Sequence, residues 1–204
     1  MNTAVMNEFE QKSRAKKMLL WFSMVSLGMS FAGLTSAYVV SKERADWLEN
    51  LQIPSAFFVS LILILVSSLT MEWAKRSIKQ GANQIGMWAL LTTWLLGVGF
   101  VATQYFGFSQ IYNDFGFAFT GPTSSIAYTF IFLIAVVHLA HIFGALIALT
   151  VVIYNHFKQR YTPTNTLGLE LAILFWHFVD VLWIYLFLFF YFVRYKISLF
   201  LHSK

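Results

Sequence analysis

The chain has 204 residues, of which 58% are apolar and only 11% charged, with a net charge of +5, 22 phenylalanines, seven tryptophans and no cysteine. A soluble domain carries about 25% charged residues, so this composition excludes an ordinary globular domain and points to a membrane protein with aromatic anchors. The lysines and arginines lie in short clusters between apolar runs, which is no footprint for nucleic acid, and the lack of cysteine excludes disulfides and thiolate metal sites.

In chain order, residues 1–17 read as a polar, cytoplasmic tail. No cleavable signal is visible, because the apolar run that follows is too long for a signal core. Residues 18–192 hold five runs, each long enough to cross about 30 Å of hydrocarbon as a helix. They are Met18 to Val40, Pro54 to Ala74, Gly86 to Ile111, Ser124 to Tyr154 and Leu167 to Phe192 (18–40, 54–74, 86–111, 124–154 and 167–192). The fourth should tilt strongly or project beyond the membrane. Residues 193–204 read as a second tail. Backbone polar groups must be satisfied inside lipid, so helices are the expected form, and the short alternating segments of a barrel are absent. The fold class is therefore an all-α membrane protein with five transmembrane helices.

The basic residues suggest an orientation. Lys12, Arg14, Lys16, Lys17, Lys75, Arg76, Lys79, Lys158 and Arg160 fall on one side of such a bundle. Lys42, Arg44, Arg194, Lys196 and Lys204 fall on the other. The positive-inside rule then puts the N-terminus inside and the C-terminus outside. Small residues mark candidate helix contacts: Ser26, Ser30, Gly33 and Ala37 on one stripe of helix 1, and Gly144 with Ala148 on helix 4. Gly97 and Gly99 should loosen helix 3.

Ionisable side chains in or near the spans are few: Glu72, His138, His141, Glu170, His177 and Asp180. Glu170, His177 and Asp180 fall within an arc of about 80° on helix 5, and Trp176 and Trp183 form the neighbouring stripe. His138 and His141 share one face of helix 4. Two polar stripes on adjacent helices are expected to face each other or a common pocket. Such an array suits a metal or heme site, a proton relay or a headgroup-binding cleft, and equally a hydrogen-bonded network that only fixes helix packing. No phosphate loop, nucleophile elbow or HExxH motif occurs.

The run Trp176-His177-Phe178-Val179-Asp180-Val181-Leu182-Trp183 resembles the last-helix signature of subunit III of heme–copper terminal oxidases, the cytochrome c oxidase type. Glu170 stands where that family places a glutamate, and His138-Leu139-Ala140-His141 resembles its HxxH element. Trp73-Ala74, followed by Ser77 and Gly81, and Phe31-Ala32-Gly33-Leu34, followed by Ala37-Tyr38, resemble two further elements in family order. The resemblance implies a short, five-helix form of a fold with seven helices in longer members, with helices in two bundles around a lipid-filled cleft. It implies no redox centre in this chain; the hemes and copper belong to partner subunits. Subunit I would be the direct partner, with subunit II, other oxidase subunits and a larger supercomplex beyond it, and no nucleic acid.

The implied role is to stabilise subunit I, hold phospholipid and support proton uptake, in a bacterial-type inner (cytoplasmic) membrane. His138, His141, Glu170, His177, Asp180, Trp73, Trp176 and Trp183 would form the lipid cleft or a structural polar network, with helices 1 and 2 set against helices 3 to 5. One departure stands out: Leu27 occupies the place of a family glutamate on helix 1. The alternative, from a different class, is a small cytochrome b-like redox subunit binding heme through His138, His141 or His177.

Overall fold

The computed structural model describes residues 3–44, 47, 52–114, 116, 124–161 and 166–202, with side chains between 10 and 193 of these. It contains five helices: α1 (Thr3–Ser41), α2 (Ser55–Lys79), α3 (Asn83–Asn113), α4 (Ile126–Phe157) and α5 (Leu167–His202). All five are long and apolar enough to cross a membrane. The helices run past the expected tails: α1 begins within the polar segment and α5 continues to His202. Residues 45–46, 48–51 and 117–123 of the distal loops lie outside the described residues.

The α2–α3 connection explains the tightest pairing in the molecule. Gly81 takes a φ of +79°, the left-handed conformation that favours glycine. The Ala82 N–H then donates to the Ser77 carbonyl and the Gly81 N–H to that of Ile78, which caps the helix end as a Schellman motif. Only residues 80–82 separate the two helices, so α3 returns directly along α2. Gly86 permits the close approach, because a Cβ there would lie 2.5 Å from Ile78. Polar clips follow along the pair: Thr70 to Thr93 at 2.8 Å, and the Gln110 amide to Ser55 at 3.1 Å.

α4 and α5 complete the bundle around α2 and α3. At its centre Trp176 of α5 is 1% exposed. Its ring fills a notch at Gly97 of α3, where a Cβ would stand 2.7 Å from the indole and 2.9 Å from Leu146 of α4. Its N–H donates to Ser67 Oγ of α2 at 2.9 Å. Gly97 is thus a packing notch rather than a point of looseness. Gly168 serves similarly at the start of α5, beside the Tyr161 hydroxyl. Burial pushes the Tyr161 phenol above its ordinary pKa, so it stays neutral at physiological pH.

α1 is the least buried span and packs only on α4 and α5. The expected grouping of helices 1 and 2 against helices 3 to 5 is therefore not the one observed: among the described residues α1 and α2 do not touch. The physical reason is the short α2–α3 turn, which spends the inner face of α2 on α3 and α5. The side of α1 that packs carries Met24, Phe31, Thr35 and Tyr38, all buried, and Thr35 Oγ1 meets Tyr185 Oη of α5 at 2.9 Å. The small-residue stripe Ser26, Ser30, Gly33 and Ala37 is exposed instead. It is offset from the packed stripe by two residues, about 200° around the helix. A Cβ added at Gly33 or at Gly144 would meet nothing within 4 Å.

The two kinds of glycine should respond differently to a methyl group. Gly97→Ala forces the indole or Leu146 to move, and overpacking of this kind costs about 1–3 kcal/mol. Gly144→Ala should stay within about 0.5 kcal/mol of the parent protein. Denaturant midpoints in mild detergent check the contrast, and equal midpoints for the two variants would contradict the notch.

Candidate functional site

The polar residues singled out from the sequence separate into three sets rather than one network. The first lies at the end of the bundle where α2 stops and α5 starts. Glu170 accepts from Lys17 of α1 at 2.9 Å, from Lys79 of α2 at 3.2 Å and from the Thr166 hydroxyl at 3.2 Å. Because α1 and α2 do not touch, this carboxylate is the point at which both are tied to α5. It borders a cleft of about 400 Å³, with Lys17 and Trp21 on one wall, Lys75 and Lys79 on the other, and Leu171, Ile173, Leu174 and His177 as the floor. The cleft carries more lysine than carboxylate at its mouth and an apolar floor.

The second set lies one to three turns along, between α2 and α5. His177 Nδ1 is 2.8 Å from Ser68 Oγ and 4.0 Å from Asp180 Oδ2, and its Nε2 is 3.9 Å from Glu72 Oε2. Glu72 is half-buried and pairs with Lys75 at 3.2 Å and Arg76 at 3.5 Å on its own helix. Asp180 is buried, and its carboxyl faces the Ser68 hydroxyl, with His177 Nδ1 at 4.0 Å. Glu72, Ser67 and Ser68 come from α2, from which the sequence reading had grouped only Trp73 with the residues of α5. Serines in an apolar run carry no periodic signal, so only the fold reveals that Ser67 and Ser68 meet Trp176 and His177.

The third set is aromatic. His138 of α4 is completely buried, stacks on Trp183 at 5.2 Å and is flanked edge-on by Phe31 at 6.2 Å and Phe100 at 6.0 Å. His141 turns its Nδ1 to the Val137 carbonyl of its own helix at 2.7 Å. Neither histidine is hydrogen-bonded to Glu170, His177 or Asp180, so the expectation of one shared network is corrected. The α4 stripe meets aromatic rings of α1, α3 and α5, while the carboxylates of α5 turn toward α2. Trp73 lies on the outer face of α2, more than half exposed, and does not line the cleft. His156, absent from the sequence-based candidates, is buried at the end of α4, and its Nε2 donates to the Asn83 carbonyl of α3 at 2.9 Å.

A heme does not fit this arrangement. An axial ligand needs a ring nitrogen open to an apolar slot, paired across the site. Both nitrogens of His138 are enclosed by side chains, His141 is engaged with its own helix, and His177 lies between Ser68 and Glu72. Among the described residues no group of His, Asp and Glu is placed to hold a metal ion.

The geometry thus describes a multi-pass membrane protein with an ion-tied cleft, a carboxylate–imidazole array and a sealed aromatic centre. Comparison with known proteins supplies the family. The profile of cytochrome c oxidase subunit III matches residues 45–195. Cytochrome c oxidase subunit 3 of Corynebacterium diphtheriae is 31% identical over 191 residues, covering 84% of this chain and 89% of that protein. Its counterpart in Bacillus sp. (strain PS3) is 31% identical over 173 residues, covering 82% and 80%. Cytochrome bo(3) ubiquinol oxidase subunit 3 of Pseudomonas putida is 29% identical over 170 residues, again covering 82% and 80%. The chain belongs to the cytochrome c oxidase subunit III family.

The three-way tie at Glu170 makes a salt-dependent prediction. Exposed ion pairs are worth about 0–1 kcal/mol each, so Glu170→Gln, which removes two, should lower stability by about 1 kcal/mol at low salt. Screening at about 1 M salt should shrink that difference to near zero. Paired unfolding midpoints at the two ionic strengths measure it; a deficit that persists at high salt would show that the glutamate acts by packing instead.

Proposed function

We propose that this chain is the subunit III of a heme–copper respiratory oxygen reductase, acting without redox centres of its own and packing directly on subunit I. The observation that carries the reading is the joint one: subunit III kinship over most of the chain, and a fold whose polar residues form a cleft and a buried array rather than a ligand set. The small stripe of α1, turned outward, and the exposed apolar flank beside it, including Trp21, Phe22, Val25 and Met29, are available for neighbouring subunits and lipid.

In this reading the cleft between α1 and α2 holds a phospholipid. Lys17, Lys75 and Lys79 at its mouth suit a phosphate headgroup, and Leu171, Ile173 and Leu174 suit an acyl chain. The end bearing Lys17, Lys75, Arg76 and Lys79 faces the cytoplasm by the positive-inside rule, with the C-terminus outside. The protein resides in a bacterial-type inner membrane, stabilises subunit I and supports its proton uptake. Subunit II, further oxidase subunits and the hemes and copper of the partners complete the assembly, and a larger supercomplex is compatible with the surfaces left free.

Affinity purification of the tagged chain in mild detergent tests the proposal. Subunits I and II should co-elute, with heme and copper in proportion to subunit I and phospholipid retained with the tagged chain. A Lys17→Glu/Lys79→Glu variant should lose retained lipid several-fold. Elution of the chain alone, or with heme bound to it and no subunit I, would overturn the assignment.

A further inference from the structure

We infer that Glu72, His177, Ser68 and Asp180 form a proton route from the cleft side of the protein into its core, with Asp180 as the terminal acceptor. The inference rests on the reading of this chain as an oxidase subunit only for its purpose; the route itself follows from the geometry. A carboxyl group buried in a span is a functional group by default. Here the Asp180 side chain is 4% exposed, and its carboxyl faces the Ser68 hydroxyl and, at 4.0 Å, His177 Nδ1.

The groups beside it are ordered from outside to inside. The Glu72 side chain is 35% exposed and His177 31% exposed. The two imidazole nitrogens face different partners: Nε2 is 3.9 Å from Glu72 Oε2, and Nδ1 is 2.8 Å from Ser68 Oγ and 4.0 Å from Asp180 Oδ2. The Ser68 hydroxyl also faces the Asp180 carboxyl. An imidazole between two carboxylates is the arrangement a proton shuttle requires, since it takes a proton at one nitrogen and releases one from the other.

The step balances without a co-reactant. A proton on the Glu72 carboxyl passes to Nε2. The Nδ1 proton passes to Ser68 Oγ, and the serine gives its own hydroxyl proton to Asp180. The imidazole is left neutral in the opposite tautomer and resets by ring exchange with the cleft. Closing the Glu72–Nε2 gap by about 1 Å, or bridging it through one water, brings it within transfer distance. Charged groups on every element around the route are accounted for, α3 carrying no titratable side chain besides Tyr105 and Tyr112. α2 contributes Glu72, with Lys75 and Arg76 holding it, α5 contributes Glu170 nearer the surface, and α1 contributes Lys17 across the cleft. On α4 the nearest titratable groups, His138 and His141, are turned to Trp183 and to the helix's own backbone.

Infrared difference spectroscopy on the purified membrane protein, with the subunits that co-elute, tests the route. The Asp180 carboxyl stretch is identified as the band lost in Asp180→Asn. On transfer to heavy water this band should shift promptly in the parent protein and at least about tenfold more slowly in His177→Phe. Glu72→Gln, at a partly exposed site, should slow it as well without disturbing the fold. In His177→Ala, imidazole added to the buffer should enter the adjoining cleft and restore the fast rate, which a merely structural histidine would not allow. Equal exchange rates in parent and His177 variants, failure of imidazole to rescue, or the absence of an Asp180 carboxyl band would each overturn the route. Exchange is read without turnover, so loss of partner subunits would count against the oxidase assignment and unchanged exchange against the route.

Discussion

The position of Trp176 is the constraint on which the bundle depends. One indole ties three helices: it belongs to α5, fills the Gly97 notch of α3 and donates its N–H to Ser67 of α2, while Leu146 of α4 borders the same notch. In lipid, apolar burial alone does not drive helices together, because acyl chains are as apolar as leucine. Shape fit and interhelical hydrogen bonds decide the packing instead. A ring seated in a glycine notch supplies the first and its N–H the second. With Trp176 fixed, α5 has one rotation about its axis. That rotation sends His177 and Asp180 toward α2 and brings Trp183 against His138.

The same rotation explains why the polar residues split. On a helix whose stripes are separated by tens of degrees, the carboxylate and histidine face and the tryptophan face meet different neighbours. α2 presents Glu72 and Ser68 to the former. α4 presents His138 to the latter, where Phe31 of α1 and Phe100 of α3 close the ring of aromatics. One helix therefore serves two environments, a partly open acid–base array and a sealed centre. α1 stands outside the bundle formed by the other four, held at one end by Lys17 on Glu170 and further along by Thr35 on Tyr185. The cleft exists because α1 and α2 are both anchored to α5 and not to each other.

Much of this was legible in the residues. Five apolar runs became five helices, and the signature from Trp176 to Trp183 pointed to the family that the profile match then identified. Identity of the candidate residues was also legible, since an ionisable group in an apolar run stands out by cost alone. Their partners were not. Which face of α4 meets which face of α5 depends on helix rotation, and rotation is set by shape, here by a glycine that reads as ordinary in sequence. The grouping of α1 with α2 failed for a related reason. Chain neighbours pair when their connection is short, and the connection that is short is the one after α2. The outward turn of the Ser26–Ala37 stripe shows the same limit: small residues permit close approach but do not say by whom.

Leu27 bears on how the work is divided among the helices. Between Met18 and Tyr38 the α1 sequence has no titratable side chain other than the tyrosine, and Leu27 packs partly buried against the core. A leucine cannot exchange a proton, so α1 contributes shape, a surface and the Lys17 tie. Glu72, His177 and Asp180 stand on α2 and α5, and the Glu72 carboxylate sits beside the His177 imidazole. These three groups are therefore carried by the helix pair that the Trp176–Ser67 bond holds in register, which is where a proton path needs its distances kept constant.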